Sequence, residues 1–218
     1  MAAKRAIEFV EDGMVVGLGT GRAANAATQG LAARVRDGLR ITGVPTSEAT
    51  GRLARELGIP LVDLNEVDAI DVTIDGADEV DPSHNLIKGG GGAHTREKLV
   101  AWATRLELIV VDESKLVPRL GVALALPVEV LPFGWRTAQR GLESLGCAAE
   151  VRKRDGAPFR TDNGNYVVDC RFGGIERPAE LEQAIKALPG VVESGLFIGL
   201  TGALVIGGPG GPQILRQH

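Results

Sequence analysis

From residue 14 to residue 111 the chain alternates short β-branched or apolar runs with stretches of helical periodicity, and that rhythm leaves few folds open. Residues 14–18 read as a strand and 23–35 as an alanine-rich helix, and the pair repeats at 40–44 and 48–57. A minor strand at 61–62 and a better one at 69–74 follow. Residues 95–104 then read as a helix and 106–111 as a buried strand. A βαβα succession implies parallel strands joined by helices on both faces of a sheet. Ligands of such sheets lie outside the carboxyl ends of the strands. The loops after those ends are therefore where chemistry is expected.

After Pro118 the texture changes. Strand-like runs at 127–131, 149–152, 166–170 and 191–197 interleave with helical patterns at 135–145 and 178–188. That order, β-α-β-β-α-β, is the split βαβ or ferredoxin-like arrangement. The turn Asp162-Asn163-Gly164-Asn165 separates the two middle strands. Residues 203–206 and the glycine-rich turn after them read as one more strand returning to the first sheet. The expected fold is therefore α/β: a Rossmann-like, mostly parallel sheet domain with a second, smaller ferredoxin-like α+β domain. The expected division is residues 1–121 with 196–218 for the catalytic domain and 122–195 for the small one; 218 residues suffice for both.

Charge and composition exclude several classes. A net charge of −4 argues against a nucleic-acid surface, which is normally basic. No apolar run approaches a membrane span and the N-terminus lacks a signal-peptide core, so no membrane partner is expected. Cys147 and Cys170 alone make no disulfide framework, which fits a reduced, cytoplasmic setting. Thirty glycines point to many tight turns and close backbone approaches.

The chemistry-bearing residues gather in loops after strands. Gly17-Leu18-Gly19-Thr20-Gly21-Arg22-Ala23-Ala24 links the first strand to the first long helix, where unpaired N–H groups favour an anion. Read from Gly19 it also satisfies G-x-G-x-x-A, but no acid follows the second strand to hold a ribose, and a tight turn without ligand stands as the alternative. Thr46-Ser47-Glu48-Ala49-Thr50 reads first as helix capping. Asp75, Asp78, Glu79 and Asp81 crowd the end of the third strand without calcium-loop spacing, and His84 and His94 are too isolated to complete a zinc site. Lys88 precedes four glycines, Gly89, Gly90, Gly91 and Gly92, the reverse of a Walker loop. Glu97 opens the following helix, and Lys115 ends the run Asp112-Glu113-Ser114-Lys115. A solvated acidic turn, an exposed loop and a surface i,i+4 glutamate are the bland readings of these groups. Together, carboxylates and a lysine beside mobile backbone suit proton transfer on a small anionic substrate.

GLGTG opening a helix, then TSEAT, DGADEVD, KGGGGA, TREK and DESK, in this order and spacing, closely resemble ribose-5-phosphate isomerase of type A. So do LPVEVLPFG, TDNGN and PGVVESGLF later on, so that the likeness covers almost the whole chain. It implies interconversion of ribose 5-phosphate and ribulose 5-phosphate with no metal and no organic cofactor, by a homodimer or a homotetramer. It also implies that Glu97 is the general base, with Asp75, Asp78 and Lys88 opening the sugar ring and steadying the enediolate. Thr20, Gly21, Arg22 and Ala23, Gly76 and Ala77, Gly89, Gly90 and Gly91, and Lys115 would contact substrate and phosphate. Where the family commonly has Ser-Thr after GTG this chain has Arg22-Ala23, so two hydroxyl donors are missing and Arg22 is a candidate replacement. A dinucleotide-binding oxidoreductase built on the Gly19 turn, and a sensor that keeps the residues without the chemistry, are the competing readings.

Overall fold

A computed structural model describes residues 1–216. Chain order begins with α1 (Ala2–Ala6), β1 (Val15–Leu18), α2 (Arg22–Arg36), β2 (Thr42–Pro45), α3 (Glu48–Glu56) and β3 (Ile70–Asp75). Two short strands, β4 (Glu79–Val80) and β5 (Leu86–Ile87), precede α4 (His94–Trp102) and β6 (Thr104–Asp112). Then come β7 (Leu126–Val130), α5 (Trp135–Glu143), β8 (Ala148–Val151), β9 (Lys153–Arg154), β10 (Ala157–Pro158), β11 (Tyr166–Arg171) and α6 (Pro178–Lys186). The chain closes with β12 (Val191–Ser194), β13 (Leu196–Phe197), β14 (Ala203–Gly208) and β15 (Gly211–Arg216).

These elements fall into two compact units. The first holds residues 1–77, 96–115 and 200 onward, and the second holds 78–95 and 116–199. The second therefore takes in more chain than the stretch 122–195 expected from sequence. The reason is the small sheet β13-β5-β4, which ties residues 79–87 to 196–197.

In the first unit six strands run in the order β15-β14-β6-β3-β1-β2, parallel throughout except for the β14–β15 hairpin. Strand order reverses between β1 and β3, which makes their carboxyl ends the switch point where such sheets bind ligands. The core follows from sequence: Val16, Leu18, Val72, Ile74, Leu108 and Val110 of the strands meet Ala27, Leu31 and Ala32 of α2 and Ala6 and Ile7 near the N-terminus. Small side chains on α2 let it lie close to the sheet. Residues 61–62 form only an isolated bridge from Gly43 to Leu61, because two residues before a loop are too few for a ladder.

In the second unit the antiparallel sheet runs β12-β7-β11-β8, the expected ferredoxin-like order. Ala138 and Leu142 of α5 and Ile185 of α6 cover one face with Leu126, Val128, Val168 and Cys170. The single strand expected at 191–197 is instead two strands in different sheets. A register shift between Val191 and Glu193 starts the departure, and Gly195 completes it. Its N–H donates to Pro127 O (2.7 Å) while its carbonyl accepts from Lys88 N–H (2.9 Å). A Cβ there would lie 2.3 Å from Lys88 O, so only glycine allows the crossing.

Candidate active site

Backbone proximity shapes the β1–α2 turn. A Cβ at Gly17 would fall 1.9 Å from Thr73 Oγ1, and one at Gly19 would fall 2.3 Å from Asp75 Oδ1 and 2.6 Å from Asp75 Cα. Both glycines are therefore demanded by the neighbouring strand β3. Gly19 N–H donates to Ile74 O (3.1 Å), and the N–H groups of Thr20 (3.1 Å) and Gly76 (2.7 Å) donate to Asp75 Oδ1. The carboxylate that ends β3 is thus aimed by the turn that follows β1. Ala23, in the first turn of α2, lies beside Gly76, and Ala77 closes this stretch half-buried.

The TSEAT segment caps a helix, as read from sequence, and does more. Ser47 accepts the Thr50 N–H (3.1 Å) as N-cap of α3. Thr46 Oγ1 donates to Leu18 O (3.0 Å) and Thr50 Oγ1 to Gly19 O (3.0 Å). Thr20 Oγ1 donates to Ser47 Oγ (2.8 Å), which in turn donates to Thr50 Oγ1 (3.0 Å). This chain of hydroxyls latches the β1–α2 turn to the start of α3.

Gly21, the N-cap of α2, has a φ of 107° that suits glycine, and no side chain caps the helix's first turn. Arg22, its first residue, is exposed. Ser114 folds the residues after β6 by donating N–H (3.0 Å) and Oγ to Asp112. The Ser114 hydroxyl, aided by the charges of Lys115 and Arg22, holds the Asp112 carboxyl below the usual carboxylate range. Two cations therefore share a neighbourhood with an uncapped helix start, at the carboxyl edge of the parallel sheet.

The acids of residues 75–81 separate into different tasks. Glu79 is buried and accepts the N–H groups of Gly121 (2.6 Å) and Leu124 (3.0 Å), so it builds a loop. Asp81 accepts from Ser83 N–H (2.9 Å), Asn85 N–H (2.9 Å) and Asn85 Nδ2 (3.0 Å), shaping a turn in which His84 takes a φ of 61°. Asp78 accepts the Gly90 N–H (2.8 Å) and so meets the glycine loop within the second unit. Lys88 is no exposed loop residue: it is 3% exposed, with Nζ 5.5 Å from the centroid of the Phe197 ring.

Each buried glycine of the loop has a steric cause. A Cβ at Gly89 (φ 103°) would meet the His94 ring at 2.7 Å, and one at Gly92 (φ 81°) would meet Phe159 at 2.3 Å. Gly90 and Gly91 are exposed. Helix α4 starts one residue earlier than expected, so His94, buried with Nε2 3.3 Å from Glu193 O, belongs to it. Glu97 in its first turn is 5% exposed, which sets aside the reading of a surface i,i+4 partner. Among the described residues no three His, Cys, Asp or Glu side chains gather where they could hold a metal ion.

Two residues that tie these loops together escaped sequence reasoning. Glu129, fully buried in β7, accepts from Thr95 Oγ1 (2.5 Å), Thr161 Oγ1 (3.0 Å), Asn163 Nδ2 (3.1 Å) and Asn165 Nδ2 (2.7 Å). A lone acid inside an apolar strand, with TDNGN downstream, was the available signal. Arg152 donates to the carbonyls of Gly89 and Gly90; nothing in its local sequence marks it.

A sequence profile described as ribose 5-phosphate isomerase A (phosphoriboisomerase A) matches residues 42–211. The ribose-5-phosphate isomerase A of Gloeobacter violaceus is 55% identical over 98% of this chain and 94% of its own. That of Chloroflexus aurantiacus is 54% identical, over 98% and 90%. Among solved structures, the Methanocaldococcus jannaschii ribose 5-phosphate isomerase A superposes with a TM-score of 0.95 at 42% identity, covering 99% of this chain and 96% of that one. A D-ribose-5-phosphate isomerase in complex with phospho-erythronic acid superposes with a TM-score of 0.96 at 40% identity and the same coverage. The chain belongs to the ribose-5-phosphate isomerase A family, a family of aldose–ketose isomerases.

Proposed function

We propose that the chain interconverts D-ribose 5-phosphate and D-ribulose 5-phosphate through an enediol, with Glu97 carrying the proton between C2 and C1. The supporting observation is buried charge: Asp75, Lys88 and Glu97 are 1%, 3% and 5% exposed. Burying ionisable groups is costly, and chains that keep them inside commonly use them in chemistry.

In this reading Asp75 and Asp78 move the hydroxyl and ring-oxygen protons that open the furanose to the free aldehyde. Glu97 then takes the C2 proton, and the released electron pair makes the C1–C2 double bond and an oxyanion on O1. Lys88 and the N–H groups of the glycine loop stabilise that oxyanion, which is where a preorganised site lowers the barrier most. A proton passes from the C2 hydroxyl to O1, Glu97 delivers its proton to C1, and the ketone forms at C2. The same carboxylate serves as base and acid, as general acid–base catalysis requires. The uncapped start of α2, Arg22 and Lys115 take the phosphate. Leu99 and Trp102, exposed on α4, suit the assembly of a homodimer, in a cytoplasmic setting.

The test is turnover in D₂O with wild type and Glu97→Gln. Solvent deuterium is expected at C1 of the ribulose 5-phosphate formed by the wild type. Glu97→Gln is expected to lose about 10²- to 10⁴-fold in kcat while keeping affinity for phospho-erythronic acid within about threefold. Near-normal turnover by the variant would remove Glu97 from the role of base.

A further inference from the structure

We infer that Arg152, held by Asp169, is a positioning residue that fixes two peptide planes of the glycine loop so that the Gly90 and Gly91 N–H groups face away from it, the first toward Asp78 and the second toward a ligand oxygen. The inference rests on the reading above, in which that loop stabilises the oxyanion.

Four of the guanidinium N–H groups are engaged. Nε donates to Asp169 Oδ2 (2.9 Å) and Nη2 to Asp169 Oδ1 (2.5 Å), a side-on fork. Nη1 donates to two successive carbonyls, Gly89 O (2.9 Å) and Gly90 O (3.0 Å). The anchor stands on sheet, not on loop. Asp169 lies in β11 opposite Glu150, and Arg152, just after β8, donates its own N–H to Val167 O (2.7 Å). Phe159 lies 5.9 Å from the guanidinium and also fills the space beside Gly92.

The consequence follows from peptide geometry. Every peptide bond among the described residues is trans, so each N–H runs antiparallel to the carbonyl of the preceding residue. Carbonyls 89 and 90 both point at Arg152 Nη1, and the N–H groups of Gly90 and Gly91 therefore both point away. The Gly90 N–H is taken by Asp78 Oδ2 at 2.8 Å. Gly91 is exposed, and nothing lies within 4 Å of where a Cβ would sit on it, so this peptide has room beside it for a ligand. A cation on the two carbonyl oxygens also polarises these peptides and strengthens them as donors. Lysine could not reproduce this, because one ammonium cannot hold a bidentate carboxylate and two carbonyls in a plane.

The experiment compares Arg152→Met, Arg152→Lys and Asp169→Asn by amide hydrogen exchange of residues 88–93 and by kinetics with ribose 5-phosphate. Exchange of that segment should quicken about tenfold or more in Arg152→Met, with the strands of β7 and β11 unchanged. In the same variant kcat should fall about tenfold or more, with KM changed less than about threefold, since the donors remain but are misaimed. Arg152→Lys should recover little of the rate, and Asp169→Asn should shift both readouts the same way by less. Unchanged exchange, or a kcat that stays at the wild-type value while the thermal midpoint drops, would overturn the inference. Should Arg152→Met not fold, the lysine and asparagine variants carry the same two readouts. A wild type without isomerase activity would instead sink the functional reading, and the exchange data would still decide whether Arg152 braces the loop.

Discussion

Gly19 and Arg22, three positions apart between β1 and α2, show how strictly side-chain size is set at the turn and how little at the helix that follows. At Gly19 an added methyl would meet the Asp75 carboxylate and its Cα, so Gly19→Ala has to move β3 or the turn itself. We expect a loss of about 1–3 kcal/mol from such overpacking, visible as a lower thermal midpoint. A fall in kcat should accompany it because Asp75 is displaced; an alanine variant with normal stability and rate would show that the turn is slack. Arg22 poses the opposite problem, a long exposed cation in the first turn of a helix. Its charge reaches Asp112 together with that of Lys115, which puts it among the groups at the sheet's carboxyl edge and not in remote solvent. Arg22→Ala should raise KM for ribose 5-phosphate by about threefold or more with kcat nearly unchanged, and high salt should shrink the difference. A KM that stays put would leave the phosphate to backbone N–H groups and Lys115. The sequence named both residues, but apart from the family resemblance, which singled out Asp75 and Asp78, its pattern could not tell them from Glu79 and Asp81. All four sit within one acidic run, and only the folded chain shows which backbone donors each one meets.

At the scale of elements, periodicity revealed the strands and helices that bury a face, and missed those that owe their existence to partners. The hairpin β9–β10 turns at Asp155-Gly156, both with positive φ, yet its strands are exposed and carry no apolar alternation to read. Strand β15 escaped for a similar reason: it pairs with β14 at the sheet's edge, and of its Pro-Gln-Ile-Leu run only Ile214 is half-buried. The break at Gly195 was hidden inside an apolar run whose two halves serve different sheets. Glu129 shows how an element can be built around one buried acid. Its four side-chain donors bind the TDNGN turn and Thr95, the second residue of α4, to the middle of β7. Glu129→Ala strands those donors without a charge, and we expect a cost of about 3–5 kcal/mol. Glu129→Gln, which keeps an acceptor of the same shape, should cost clearly less. Equal losses in chemical denaturation would mean that volume, not hydrogen bonding, is what this position supplies.

Across the whole molecule, the charges proposed for catalysis come from the chain itself. They are Asp75, Asp78, Lys88 and Glu97, with Arg22 and Lys115 proposed for the phosphate. An enediolate needs a cation or donors near its oxygen, and a lysine with backbone N–H groups meets that need without a bound ion. The described residues assemble no set of three His, Cys, Asp or Glu side chains at which a divalent ion could be held. The acids nearest in sequence are already committed: Glu79 to a loop and Asp81 to a turn. Exhaustive dialysis against EDTA should therefore leave the isomerase rate within about twofold of the untreated enzyme, since the described residues offer no ligand set of the usual number and geometry to be emptied. The control is added Mg²⁺ or Zn²⁺, which should not raise the rate of the treated enzyme. A loss on chelation that either ion restores would make Asp75 and Asp78 metal ligands. Lys88 would then no longer be the charge that steadies the intermediate.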